Sequence, residues 1–173
     1  MHKVLFSVLL MSLASVAFAH GPSRQKVVES VTIKAAPDAV WAKVKDFTKL
    51  HDWHPAIESS AATGGSKVGS VRTLNVKGGG KVIETLEGIS DEDKKFNYRM
   101  KDGGALPVSN YTSTMTVKAG EAAGTTTVEW RGAFYRSYPN NNPPPEQNDE
   151  AAVKAITGVY QTGLANLKKS LEK

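Results

Sequence analysis

The sequence predicts an α+β fold: a seven-stranded antiparallel sheet wrapped around one long C-terminal helix, with two short helices after the first strand. Three observations carry this prediction. Between residues 57 and 136 apolar and polar side chains alternate with period two. After residue 149, Val153, Ile156, Tyr160, Leu164, Leu167 and Leu171 recur at spacings of three and four. Glycine-rich turns, Thr63-Gly64-Gly65 and Gly78-Gly79-Gly80, divide the alternating region.

Taken in order, Lys3 is followed by the apolar run VLFSVLLMSLASVAF and the small-x-small pattern Ala17-Phe18-Ala19. This is the pattern of a secretory signal peptide over residues 1–19. The run is shorter than the ~20 residues of a membrane span, and polar sequence follows at once, so no membrane anchor is expected. Cleavage after Ala19 leaves a single domain over residues 20–173, with His20 at its N-terminus. KVVESVTIK reads as the first strand. Pro37–Lys45 reads as a helix opened by its proline, and DFTKL continues helical until Pro55 of HDWHP ends it.

IESSAAT, GSVRTLNV and KVIETLEGI are the next strands. FNYRM puts Phe96, Tyr98 and Met100 on one face; YTSTMTV puts Tyr111, Ser113, Met115 and Val117 on one; TTVEWRGAF puts Val128, Trp130, Gly132 and Phe134 on one. These six strands form a meander with one buried face. YPNNNPPPEQND is a long loop. The final helix runs about six turns, capped by Asn148 or Asp149, with acids at its start and Lys168 and Lys169 near its end. Its apolar stripe is the one large partner available to the sheet's apolar face, so the sheet wraps around it. Small inward positions at Ser113, Gly132 and Gly163 imply that the space between them is not fully filled.

The chain has no cysteine, which excludes a lipoprotein anchor, c-type haem attachment and thiolate zinc sites. The formal net charge is +5, or +4 once Lys3 leaves, and the basic residues are scattered among acids. No nucleic-acid partner is expected. No G-x-S-x-G is present, and the glycine triplet is followed by neither a helix nor Gly-Lys-Ser/Thr.

Three features remain that bear on chemistry. Arg72 shares the face of Leu74 and Val76, and Glu84 lies between Val82 and Leu86 on what alternation makes the same face. Two readings stay open here: a strand-end ion pair or a solvated glutamate, or a buried pair that orients a polar ligand group in a cavity. In HDWHP, His54 occupies the turn into the next strand beside Trp53, which needs burial. Three readings stay open here: a pocket-lining or helix-end histidine, an acid/base group, or a metal ligand. The metal reading lacks a second HxxH or a nearby carboxylate at ligand spacing; its remaining form uses the amine and ring of His20 with His51 or His54. The aromatics Tyr98, Tyr111, Trp130 and Phe134 serve equally as core and as cavity wall.

SVTIKAAPDAVWAKVKDFTKLHDWHPAI, GSVRTLNVKGGGKVIETLEGISDEDKKFNYRM, ALPVSNYTSTMTV and TTVEWRGAF together resemble the polyketide cyclase/dehydrase-type members of the START and birch-pollen-allergen superfamily. With the signal peptide, the subgroup they resemble is the MxaD-like periplasmic proteins associated with methanol oxidation. The resemblance implies a helix-grip fold with a hydrophobic pocket between sheet and helix. The plant abscisic-acid receptors are similar through GSVR, the strand glutamate and NY. That likeness implies a ligand-pairing role for His54, pocket roles for Glu84, Tyr98, Tyr111 and Ser113, and mouth loops at KGGGK and ALPV. Neither loop has the receptors' own sequence, so hormone sensing is not implied.

The expectation is therefore a periplasmic protein that binds a small, largely hydrophobic molecule without covalent chemistry, cofactor or metal. Its expected ligand site is Trp53, His54, Arg72, Leu74, Glu84, Tyr98, Tyr111, Ser113, Trp130 and Phe134, with Val159 and Gly163 of the helix. Two alternatives are a cyclase or dehydratase using His54 or Glu84 as general base, and an accessory protein that contacts a periplasmic dehydrogenase or cytochrome through its surface.

Overall fold

Residues 21–172 are described by the structure, a computed structural model; the leader read at residues 1–19 and His20 lie outside them. Seven strands pair in the order β1-β7-β6-β5-β4-β3-β2, where β1 is Gln25–Ile33, β2 Ile57–Thr63, β3 Val71–Val76, β4 Lys81–Ser90, β5 Lys95–Met100, β6 Val108–Ala119 and β7 Thr126–Arg136. Every pairing is antiparallel. β2 to β7 are the predicted meander, and the N-terminal strand joins its far edge beside β7.

Helix α1 spans Pro37–Val44. The second short helix is a single 3₁₀ turn, Leu50–Asp52, because only a few residues separate it from Pro55. Helix α2 spans Asp149–Leu171, and Asn148 caps it by accepting the Ala151 N–H at 2.7 Å. Ala152, Ile156, Tyr160, Gly163, Leu164 and Leu167 form its buried stripe against the concave face of the sheet. Among the described residues no helix is long and apolar enough to cross a membrane.

Register shifts at Leu86/Gly88 and Ser109/Thr112 each add a residue to one side of the ladder. Such bulges bend a strand and increase its twist, which lets the sheet curl around α2. At the second, Asn110 takes a left-handed φ of 47°, a conformation asparagine tolerates better than most residues.

The long loop after β7 is tied down by one buried side chain. Arg136 donates to the carbonyls of Tyr138 (3.1 Å) and Asn140 (3.0 Å) and to Asp149 Oδ1 (3.1 Å). Those bonds fix where α2 begins, and therefore which of its turns face the sheet.

Candidate functional site

The site is assembled at the turn before β2, where the chain reverses after the 3₁₀ turn. His54 N–H bonds the Leu50 carbonyl at 2.8 Å, and the imidazole points inward, 1% exposed. Its Nε2 lies 2.9 Å from the Val159 carbonyl oxygen of α2. A carbonyl only accepts, so Nε2 carries the proton and Nδ1 is the acceptor, receiving Ala56 N–H at 3.3 Å. Both nitrogens are thus engaged within the protein. Gly163 makes room for the ring: a Cβ there would stand 2.6 Å from His54 Cδ2. Trp53 packs edge-on against Trp130, its centroid 5.7 Å away. His51 faces the other way, with Nε2 3.3 Å from Asp52 Oδ1 near the surface. The motif's two histidines therefore do not converge on one centre.

Burial pushes the His54 pKa below its ordinary value near 6.5; the positive charge of Arg72 adds to this and the bond to Val159 opposes it. The folded chain holds this ring neutral where an unfolded chain would protonate it. The associated stability is present above about pH 6.5 and declines as pH falls toward the depressed folded value. Urea midpoints measured from pH 8 to pH 5 should fall more steeply for the native chain than for His54→Gln, and equal slopes would refute the assignment.

Arg72 and Glu84 are register partners on β3 and β4. Both side chains turn inside, 3% and 7% exposed, with Arg72 Nε donating to Glu84 Oε2 at 2.6 Å. Nη1 donates to the Phe47 carbonyl at 3.1 Å, and the guanidinium lies 4.0 Å from the Phe47 ring centroid. The pair is enclosed by the loop after α1, and Glu84 faces a cavity.

A chain of hydroxyls fills the other side. Ser113 Oγ is 2.9 Å from the Arg131 carbonyl and 3.0 Å from Tyr160 Oη; Tyr160 Oη is 2.5 Å from Tyr111 Oη, which is 3.5 Å from Tyr98 Oη. Trp130 Nε1 donates to both Ser113 Oγ (3.0 Å) and Tyr98 Oη (3.1 Å). Gly132 is required opposite Tyr160, because a Cβ there would collide with the Tyr160 hydroxyl. Burial, with the Glu84 charge second, pushes Tyr98 up to about 12, and burial holds Tyr111 and Tyr160 well above the ordinary tyrosine value. These phenols act as hydrogen-bond donors rather than bases at neutral pH.

Between the pair and the hydroxyls is a cavity of about 60 Å³, lined by Leu50, His54, Ala56, Ile57, Leu74, Val76, Val82, Glu84, Tyr98, Leu106, Tyr111, Trp130 and Val159. Seven of the twelve expected site residues stand in this wall: His54, Leu74, Glu84, Tyr98, Tyr111, Trp130 and Val159. The other five stand one layer back. Trp53 supports Trp130, Arg72 holds Glu84, Ser113 anchors the hydroxyl chain, Phe134 stacks on Tyr111 at 6.1 Å, and Gly163 clears space for His54.

Sequence reasoning missed Leu50, Ala56, Ile57, Val76, Val82 and Leu106 in the wall, and it read Tyr160 as packing alone. For Tyr160 a signal existed: a phenol on a buried stripe needs a hydroxyl partner. A larger recess of about 280 Å³, lined by Lys26, Val28, Thr112 and Arg131 among others, lies on the outer face of the sheet.

A sheet gripping a C-terminal helix around a largely apolar cavity defines the helix-grip class. The chain belongs to the polyketide cyclase / dehydrase and lipid transport family, whose model matches residues 24–172. It is similar to a structural-genomics protein from Bacillus thuringiensis, 32% identical with a TM-score of 0.72, covering 85% of this chain and 98% of that one. It is equally similar to the protein XoxI from Bacillus cereus, 33% identical with a TM-score of 0.72, covering 84% and 94%. Norcoclaurine synthase from Thalictrum flavum shares the fold at 18% identity and a TM-score of 0.63, covering 87% and 95%.

Proposed function

We propose that the chain is an exported, periplasmic binding protein that holds a small, largely hydrophobic molecule between its sheet and α2. The observation that carries this reading is the combination in one cavity wall of eight aliphatic residues with a buried carboxylate. Burying an ion pair costs several kcal/mol per charge before the attraction returns any of it, so the arrangement suits ligand recognition better than packing. The family's lipid-transport description supports a cavity used for binding. The signal-peptide pattern supports export. Glu84 is the remaining base for a cyclase or dehydratase, because His54 and the tyrosines are engaged or protonated.

The cavity as it stands has room for about two water molecules, against ~300 Å³ or more for a typical drug-sized ligand. Larger molecules enter only if the mouth opens. Val76 leads into the glycine triplet and Leu106 lies on the β5–β6 loop, and the two loops are joined by Ala105 N–H to the Lys81 carbonyl at 2.9 Å. Gly80 takes a φ of 88°, and a Cβ there would stand 2.7 Å from the Ala105 Cβ. Side chains at that position would force the loops apart.

The small volume also favours a second reading, an accessory protein of periplasmic methanol oxidation, of the MxaD-like kind, working through its surface. Native mass spectrometry of chain purified from its own periplasm separates the two. A retained organic mass, lost on denaturation, is the expected result. A bare chain that binds a purified dehydrogenase or cytochrome, unaffected by changes in the cavity wall, would overturn the binding reading.

A further inference from the structure

The hydroxyl chain has only one consistent direction, and that direction decides what the cavity offers a ligand. The Arg131 carbonyl can only accept, so Ser113 spends its single proton there. Ser113 Oγ must then accept from both the Trp130 indole and Tyr160. Tyr160, having donated to Ser113, accepts from Tyr111. Tyr111 in turn leaves an acceptor lone pair toward Tyr98, whose oxygen already receives the Trp130 N–H.

Every proton in the hydroxyl chain is committed at 3.1 Å or closer except that of Tyr98, whose hydrogen-bonding acceptor among the described residues, Tyr111 Oη, is 3.5 Å away. This is too long for a good O–H···O bond. Tyr98 lines the cavity. So does Glu84, whose Oε2 is taken by Arg72 while Oε1 has no protein partner among the described residues. The cavity therefore presents one loosely held donor and one open acceptor, both on buried side chains.

Its charge balance is also defined. Arg72 compensates Glu84 at 2.6 Å, and His54 donates to Val159 from a neutral ring. No net charge is left to attract an ammonium, and a ligand carboxylate would face Glu84 directly.

We infer that the cavity selects a neutral ligand bearing a hydroxyl group, which accepts from Tyr98 Oη–H and donates to Glu84 Oε1 while its apolar body contacts Leu74, Val82 and Val159. This rests on the ligand-binding reading above and adds the chemical class of the ligand. Tyr160 becomes a positioning residue. It touches no ligand, yet by accepting the Tyr111 proton it keeps that proton out of the cavity.

The test uses three probes of four heavy atoms each, 2-propanol, acetone and isopropylammonium, titrated into ¹⁵N-labelled protein with the Trp130 indole N–H resonance as readout. The expected result is a saturable shift with 2-propanol, about tenfold tighter than with acetone, as one hydrogen bond to a charged group implies, and the weakest response from isopropylammonium. Tyr98→Phe should weaken both probes alike, since each accepts from that hydroxyl, whereas Glu84→Gln, which replaces the carboxylate that only 2-propanol can donate to, should narrow the 2-propanol-to-acetone ratio. Tyr160→Phe should strengthen both probes, because the released Tyr111 proton then reaches an acceptor lone pair that each of them has; a merely structural role would weaken both alike.

Equal binding of 2-propanol and acetone overturns the hydroxyl assignment while leaving a binding cavity. Tightest binding of isopropylammonium overturns the neutrality argument. An unchanged ratio in Glu84→Gln, or weaker binding of both probes in Tyr160→Phe, overturns the assigned contacts. Absence of a saturable shift with every probe removes the ligand-binding reading itself, and this inference with it.

Discussion

Arg72→Leu should destabilise the protein by about 3–5 kcal/mol, because it leaves Glu84 inside the fold without its partner. The remaining carboxylate must either hold a charge in an apolar wall or take up a proton, and both cost free energy. Further loss comes from the bond to the Phe47 carbonyl and from the guanidinium packed on Phe47 and Tyr98. For a domain of this size the change corresponds to a fall in Tm of order 10 °C. The double change Arg72→Leu with Glu84→Leu removes both charges and should recover most of the loss, since well-packed apolar pairs often match buried ion pairs in stability. Urea unfolding of the three proteins at pH 7.5 is the check. A single change costing less than about 1 kcal/mol would mean that the pair is solvated and worth no more than a surface bridge.

The second large effect lies on α2. Gly163→Ala should destabilise although alanine is the better helix former, because the new Cβ would stand 2.6 Å from His54 Cδ2 and 3.0 Å from Trp130 Cζ3. Overpacking of about 1–3 kcal/mol opposes a propensity gain of at most about 1 kcal/mol. Gly158, five residues earlier on the exposed side of the same helix, has nothing within 4 Å of its Cβ position. Gly158→Ala should therefore stabilise by about 0.5–1 kcal/mol. Opposite signs for one substitution on one helix, read from thermal unfolding, are the expected result. Two stabilising changes would show that the His54 ring does not sit against Gly163.

These expectations depend on distances, and the sequence carries few of those. What it does carry is periodicity. IESSAAT coincides with β2, and the alternation in FNYRM, YTSTMTV and TTVEWRGAF places the inward residues of β5 to β7 correctly. The same alternation puts Arg72 and Glu84 on one face, which the register pairs directly. Periodicity names a face but not a depth. Phe134 and Ser113 share their faces with Trp130 and Tyr111, yet the first two support the wall and the second two form it.

The resemblance puts Leu106 on the mouth loop ALPV but not in the wall, because loops have no period to show which side chain turns inward, and Ala56 escapes because it sits where a turn becomes a strand. The hydroxyl chain runs from β5, β6 and β7 to Tyr160 of α2, and only the packed fold brings those four elements within hydrogen-bond reach. His51 and His54 show the same limit. Their spacing suited a shared site, and the turn at Trp53 sends one ring outward and the other against α2.

The space beside Glu84 and Tyr98 is the proposed ligand site. The most direct measurement is a crystal structure of protein isolated from its own host without denaturation. Continuous organic density is expected in the cavity, with an oxygen within about 3 Å of both Glu84 Oε1 and Tyr98 Oη and Leu106 displaced outward if the molecule is larger than the present space. A wall closed as described here, enclosing ordered water alone in chain whose native mass shows nothing bound, would contradict it.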